Sequence, residues 1–336
     1  MLTFTLRRLF LMVPTLLVIA LAIFLLLELS PGDPMSQLPL SIPEDVREGL
    51  RAALGLGDPW YVRFLRWLYL FAVVEPSHML AAATGLDNLA IEGPRLISFQ
   101  TRSPVADLIM QRLPQTLWVV GLSYLVGTLL ALPIGIYSAY RQYGWFDQFG
   151  VLISMAGFSL PSFFTGPVLI LVFSIWLGWF PTVYDTMLTV SDWSSFWLQV
   201  RQMILPVAVL SLLNLAQISR FVRASVLDNL GQDYVRTARA KGMTERVVLL
   251  VHVLRNSMIP VVTVIALGFP TVFTGAIITE QLFRVNGIGQ LLITSIYASD
   301  VPTVMTLSVI FAALVVFFNL VADVLYGLLD PRIRYD

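Results

Sequence analysis

The sequence predicts an all-α protein that crosses a membrane several times. Of its 336 residues 57% are hydrophobic and 12% charged, where soluble domains average about 25% charged. Mean hydropathy is +0.80. Spacing agrees with composition, because six stretches reach the roughly 20 apolar residues that a spanning helix needs: 9–29, 116–139, 149–176, 203–222, 260–280 and 303–327. The zero net charge gives no global field for nucleic acid. With no cysteine there is no disulfide, thiolate nucleophile or sulfur metal site, and the two histidines, His78 and His252, fall on opposite sides of the expected topology. No metal centre is expected.

The first stretch follows a basic start and is longer than a signal-peptide core, so it reads as a retained first span closing a segment 1–30. Residues 31–115 form an external segment too long for a bare connector, and a small folded domain of short helices is expected there. Within it Phe64–Val74 is apolar but only eleven residues long and interrupted by Arg66, which suits an interfacial or internally packed helix. Residues 81–103 show no pattern. The core follows over 116–328, with a cytoplasmic loop at 223–259 and a tail at 329–336.

The third and fifth spans carry helix breakers: Gly157, Pro161, Gly166 and Pro167 in one, Gly268, Pro270 and Gly275 in the other. Proline removes a backbone hydrogen bond, which a bilayer tolerates where neighbours or water replace it. Such breaks fit a pathway lining or ordinary packing kinks. Ser154, Ser159, Asn214 and Gln217 are the polar groups that would line a route, and small polar residues equally join membrane helices.

Arginine placement sets the orientation. With both termini inside, 12 of the 21 basic residues fall on inner segments, whereas the two short outer loops hold only Arg201 and Arg284. This puts the polar stretch Arg220–Pro260 in the cytoplasm. There Asp233 is expected to cap a helix from Tyr234 to about Lys241, Gly242 to stop it in left-handed conformation, and Thr244 with Glu245 to start a second helix to Ser257. Tyr234, Val235 and Ala238 make one apolar stripe; Arg236, Arg239 and Lys241 take the other sides. Seven basic residues and three acids between Arg220 and Arg255 give a net charge of +4, which suits anionic lipid. An eight-residue helix is too short to stand alone, and docking into a partner groove would account for it.

Four acids fall at or near span ends: Glu28, Glu280, Asp323 and Asp330. Glu28 and Glu280 are expected near outer water. Asp323 lies inside the last span, for structural pairing with Arg332 or an arginine of the cytoplasmic loop, or for a proton-relay or substrate role. GFSLP at 157–161 lacks the last glycine of a nucleophile elbow, and neither HExxH nor a phosphate loop is present. An ion-coupled carrier would need charged pairs deep in the spans, and a membrane enzyme a nucleophile with its base.

The run Tyr234, Thr237, Ala238, Arg239, Ala240, Lys241, Gly242, then His252, Leu254, Arg255, Asn256 and Pro260 resembles the cytoplasmic loop of inner-membrane permeases in the dipeptide, oligopeptide and nickel branch of binding-protein-dependent ABC importers. The wider importer signature has Glu-Ala-Ala, three residues, Gly, nine residues and Ile-x-Leu-Pro. This chain departs from it at Arg236, Thr237, His252 and Arg255, as the peptide branch does. Pro31-Gly32-Asp33-Pro34, Glu280, Gly287-x-Gly289, Asp300-x-Pro302 and Leu329-Asp330-Pro331-Arg332 extend the resemblance along the chain.

The resemblance implies a six-span type I ABC importer permease fold, with an external domain after the first helix and a five-helix core. It implies a subunit in the bacterial inner membrane without its own ATPase site, working with a second permease, two ATP-binding subunits that hold ATP and Mg2+, a substrate-binding protein outside, and lipid. Tyr234, Val235, Arg236, Thr237, Ala238, Arg239, Ala240, Lys241 and Gly242 would be the coupling helix. Peptides are the implied cargo, with nickel chelates, glutathione, opines or sugars as alternatives.

Overall fold

The computed structural model describes residues 2–29, 43–53 and 55–329. No strand forms among them, and Ile97 with Pro104 makes one isolated antiparallel bridge. The helices are α1 (Leu2–Leu29), α2 (Glu44–Ala53), α3 (Trp60–Tyr69), α4 (Glu75–Thr84), α5 (Val105–Tyr140), α6 (Trp145–Ser159), α7 (Ser162–Leu169), α8 (Trp193–Leu230), α9 (Asp233–Ala240), α10 (Glu245–Val247), α11 (Leu254–Phe283), α12 (Ile288–Tyr297) and α13 (Val301–Leu329). Five helical runs are long and apolar enough to cross a membrane, and six if the pair α6–α7 counts as one span.

The helices outrun the apolar windows. α5 and α8 have 36 and 38 residues, about 54 and 57 Å long against a hydrocarbon core of about 30 Å. Hydropathy marks only the part in lipid. The third span is broken rather than kinked: α6 and the run from Ser162 to Trp176 meet at 110°, with Pro161 extended between them. The expected stop at Ser257 is absent. Helix continues from Glu245 through a wide turn at Val248–Val253 into α11, with Pro260 and Pro270 inside it.

The chain divides into two compact units. The first is Gln115–Gln290 with α1 as far as Phe10 and α13 from Leu314 onward. α8 is its central helix, packed against α6 and most extensively against α11. α5 approaches α8 through glycine: a Cβ at Gly135 would lie 2.7 Å from the Ser219 carbonyl oxygen, and one at Gly127 would lie 3.0 Å from that of Ser211. Near Pro270, the Tyr124 hydroxyl of α5 donates to the Ile265 carbonyl of α11. At the N-terminal end of α8, Asp192 forms a capping box with Ser195, whose hydrogen bonds hold the carboxyl below the usual carboxylate range.

Glu280, expected near water, is fully buried. It accepts from Thr116 Oγ1 at 2.6 Å and from the N–H groups of Gly289 and Gln290 at 2.8 and 3.0 Å, so it caps the start of α12. Gly287 has to lack a side chain, because a Cβ would meet the Glu280 carboxylate at 2.2 Å.

The second unit is Leu11–Pro114 with Leu291–Ala313. Phe64–Val74 lies within one helical run formed by α3, a wide turn at Leu70–Val74, and α4. Trp67 is buried there, stacked on Phe71 at 5.0 Å. The unpatterned residues 81–103 are ordered by buried acids instead of apolar periodicity. Glu75 accepts from Arg95 at 2.7 Å and from the Leu96 N–H at 2.9 Å. Asp300 accepts from Ser98 Oγ, the Phe99 N–H and Thr303 Oγ1 at 2.5, 2.9 and 2.8 Å.

Candidate functional site

α9 is a helix of eight residues entered from Gln232 in extended conformation. Asp233 is its first residue rather than its cap, and no side chain caps the N-terminus. The C-terminal end is better secured. Gly242 has φ +77°, its N–H donates to Arg239 O at 2.9 Å, and the Met243 N–H donates to Ala238 O at 3.3 Å. This is the Schellman arrangement, in which a left-handed residue satisfies carbonyls that the helix leaves open.

Of the stripe read from the sequence, Val235 and Ala238 point inward and Tyr234 is exposed. Val235 is 0% and Ala238 4% exposed, in one cluster with Val222, Val226, Val248 and Val253 of the chain itself. The outward face consists of Tyr234, Arg236, Thr237, Arg239, Ala240 and Lys241, all exposed. Tyr234 Oη donates to Asn229 Oδ1 at 2.6 Å, Arg236 pairs with Asp233 at 3.3 Å, and Arg239 pairs with Glu245 at 2.8 Å. At this exposure such pairs orient side chains more than they stabilise the fold.

Behind α9 the two long helices are tied together. Ser225 Oγ donates to the Ser257 carbonyl at 2.8 Å, and Ser257 Oγ reaches the Ser225 carbonyl at 3.2 Å. Arg223 of α8 grips the buried Asp147 of α6 through Nε at 2.6 Å and Nη2 at 2.8 Å. The two parallel bonds fix orientation as well as distance. Asp147 escaped the sequence reading although it lies two residues before the third apolar window; its first-turn position was the available signal. Arg220 lies over the Phe158 ring, 4.5 Å from its centre, adding a second α8–α6 contact.

Asp323 pairs with Arg8 Nη1 at 2.7 Å, joining α13 to α1. The expected partners were a loop arginine or Arg332, and Arg332 is outside the described residues. The four polar candidates do not come together. Ser154 is buried with its Oγ 3.3 Å from Ser219 Oγ, and Asn214 is buried with Nδ2 donating to Leu210 O at 3.3 Å. Both sit in helix interfaces. Gln217 is half-buried, and Ser159 is exposed at the break between α6 and α7. Among the described residues no three of His, Cys, Asp and Glu gather as a metal site.

Comparison with known proteins follows the same outline. Residues 131–335 match the family described as binding-protein-dependent transport system inner membrane component, and residues 1–120 match its N-terminal family. The oligopeptide transport system permease protein AppB of Bacillus subtilis (strain 168) is 37% identical over 340 residues, covering 100% of each chain. The glutathione transport system permease protein GsiC of Escherichia coli (strain K12) is 36% identical over 338 residues, again covering 100% of both. With its multi-pass helices, the chain belongs to the binding-protein-dependent inner-membrane components, the permease subunits of ABC importers.

Proposed function

We propose that this chain is one half of the translocation pathway of an ATP-driven peptide importer, and that α9 receives the push of an ATP-hydrolysing subunit. One observation carries the reading: Val235 and Ala238 of α9 are locked into the chain's own core while its basic and polar residues all face outward. A helix fixed from behind can pass on a displacement instead of absorbing it. The bidentate Arg223–Asp147 pair and the reciprocal Ser225–Ser257 bonds carry that displacement into α6, α8 and α11.

In this scheme two partner subunits hold ATP and Mg2+, and this chain contributes no hydrolytic site. A second permease completes the pathway, and a substrate-binding protein delivers cargo from outside. Both termini lie in the cytoplasm. Nucleotide binding favours one of two arrangements of the helices, which requires an element with two states that the nucleotide distinguishes. The broken pair α6–α7 and the proline-bearing α11 are those elements. Ser159 and Gln217 retain surface for a pathway; Ser154 and Asn214 act in packing.

Peptide cargo is favoured by the two relatives, named for oligopeptide and glutathione transport. The test of coupling is charge reversal on the outward face. Arg236→Glu with Lys241→Glu should lower hydrolysis stimulated by the loaded binding protein at least tenfold in proteoliposomes, with the chain still inserted and folded. Wild-type stimulation in that variant would overturn the role of α9. Mass spectrometry of the ligand carried by the purified binding protein decides the cargo, and a nickel chelate, opine or sugar there would replace peptide.

A further inference from the structure

A cavity of about 380 Å³ opens beside the N-terminal end of α8, within the range of small-ligand sites. It is at the far end of that helix from α9, about 44 Å away by the helical rise between Arg201 and Leu230. Phe180, Val183, Leu188 and Leu198 supply apolar wall. Three polar residues complete it: Asp185, Arg201 and Gln202.

These three are held in place before any ligand arrives. Gln202 is only 7% exposed; its Oε1 accepts the Asp185 N–H at 2.9 Å, and its Nε2 donates to Gln199 Oε1 at 2.8 Å and to the Asp185 carbonyl at 3.4 Å. Behind it, buried Tyr184 accepts from Gln199 and donates to Gln115 Oε1 at 2.7 Å, while its N–H donates to the Phe283 carbonyl at 2.9 Å. The loop is thereby fastened to α5, α8 and α11. Burial pushes the Tyr184 phenol up from its ordinary range. Asp185 Oδ1 accepts from the Met187 N–H at 2.9 Å. Arg201 is pinned by donation from Nε to Trp179 O at 2.6 Å and from Nη2 to Gly178 O at 3.3 Å.

Among the described residues, no ion pair joins Asp185 to Arg201. One fixed carboxylate and one fixed guanidinium thus share a cavity without neutralising each other. A ligand bearing both charges satisfies both, whereas one bearing a single charge leaves the other unmatched. We propose that this cavity is a subsite for a short zwitterionic peptide, with Asp185 taking the free amino end and Arg201 the free carboxylate. The apolar walls accept its side chains. The subsite deepens the importer reading and rests on it for the class of cargo.

The test uses the complete importer in nanodiscs without its binding protein, and radiolabelled alanyl-leucine in equilibrium dialysis. Free dipeptide should bind at least tenfold tighter than the same dipeptide acetylated at its amino end and amidated at its carboxyl end. Asp185→Asn should erase the preference for a free amino end and keep that for a free carboxylate; Arg201→Gln should do the converse. Asp185→Glu and Arg201→Lys, which keep the charges, should retain most of both preferences, and elution profile and melting temperature report folding. Equal binding of free and blocked peptide, or wild-type preferences in the two neutralised variants, overturns the subsite. Uptake by proteoliposomes with the binding protein present separates the two readings. Uptake of alanyl-leucine without charge-dependent binding removes the subsite and leaves the peptide importer; charge-dependent binding without uptake does the reverse.

Discussion

Gly242 shows how one residue sets the presentation of a whole surface. At φ +77° a side chain would strain the backbone by about 1–2 kcal/mol, and loss of that turn frees Met243 and Ala238 from each other. Gly242→Val should therefore lower stimulated ATP hydrolysis several-fold while Gly242→Asn, which tolerates the left-handed region, keeps most of it; equal rates in the two variants would count against this account. The sequence marked this glycine because nothing else stops a helix so cheaply. It left the burial of Ala238 open for an equally physical reason. An eight-residue amphipathic helix has one apolar stripe, and periodicity alone cannot say whether that stripe meets a partner or the chain's own Val226, Val248 and Val253. Ala238→Asp is thus a folding variant, expected to cost several kcal/mol through an unpaired buried charge and to reduce the yield of folded protein.

At the level of helices, the apolar windows overlap each helical run that is long and apolar enough to cross a membrane among the described residues, and they mistook most of the ends. α8 runs from Trp193 to Leu230 because a capping box starts it at Asp192 and Gly231 follows it, and neither feature contributes to an apolar average. Buried acids were the other blind spot. Asp147, Glu75, Glu280 and Asp300 are each at most 4% exposed, and each organises donors brought from elsewhere in the sequence. Such pairings depend on tertiary contacts that local composition does not encode. Removing one member of a buried pair leaves the other uncompensated, so Asp147→Ala should destabilise the first unit by about 3 kcal/mol. Asp147→Ala combined with Arg223→Ala should recover part of that loss in detergent melts. Additive losses in the double variant would show that the pair does not act as a pair.

For the molecule as a whole, the topology proposed from arginine placement has α9 and the loop bearing Met187 on opposite faces of the membrane. The absence of native cysteine makes this directly readable. Ala240→Cys should react with an impermeant maleimide only in inside-out vesicles, and Met187→Cys, at a site 86% exposed, only in right-side-out ones. Labelling of both from one side would overturn the topology. The inward turn of Val235 and Ala238 has one more effect. In the proposed coupling scheme, a joint made through guanidinium, ammonium and hydroxyl groups would be screened by salt, with a Debye length falling from about 10 Å at 0.1 M to about 3 Å at 1 M. Concentrated salt should accordingly uncouple the machine well before it melts it, whereas a greasy joint would tighten under the same treatment.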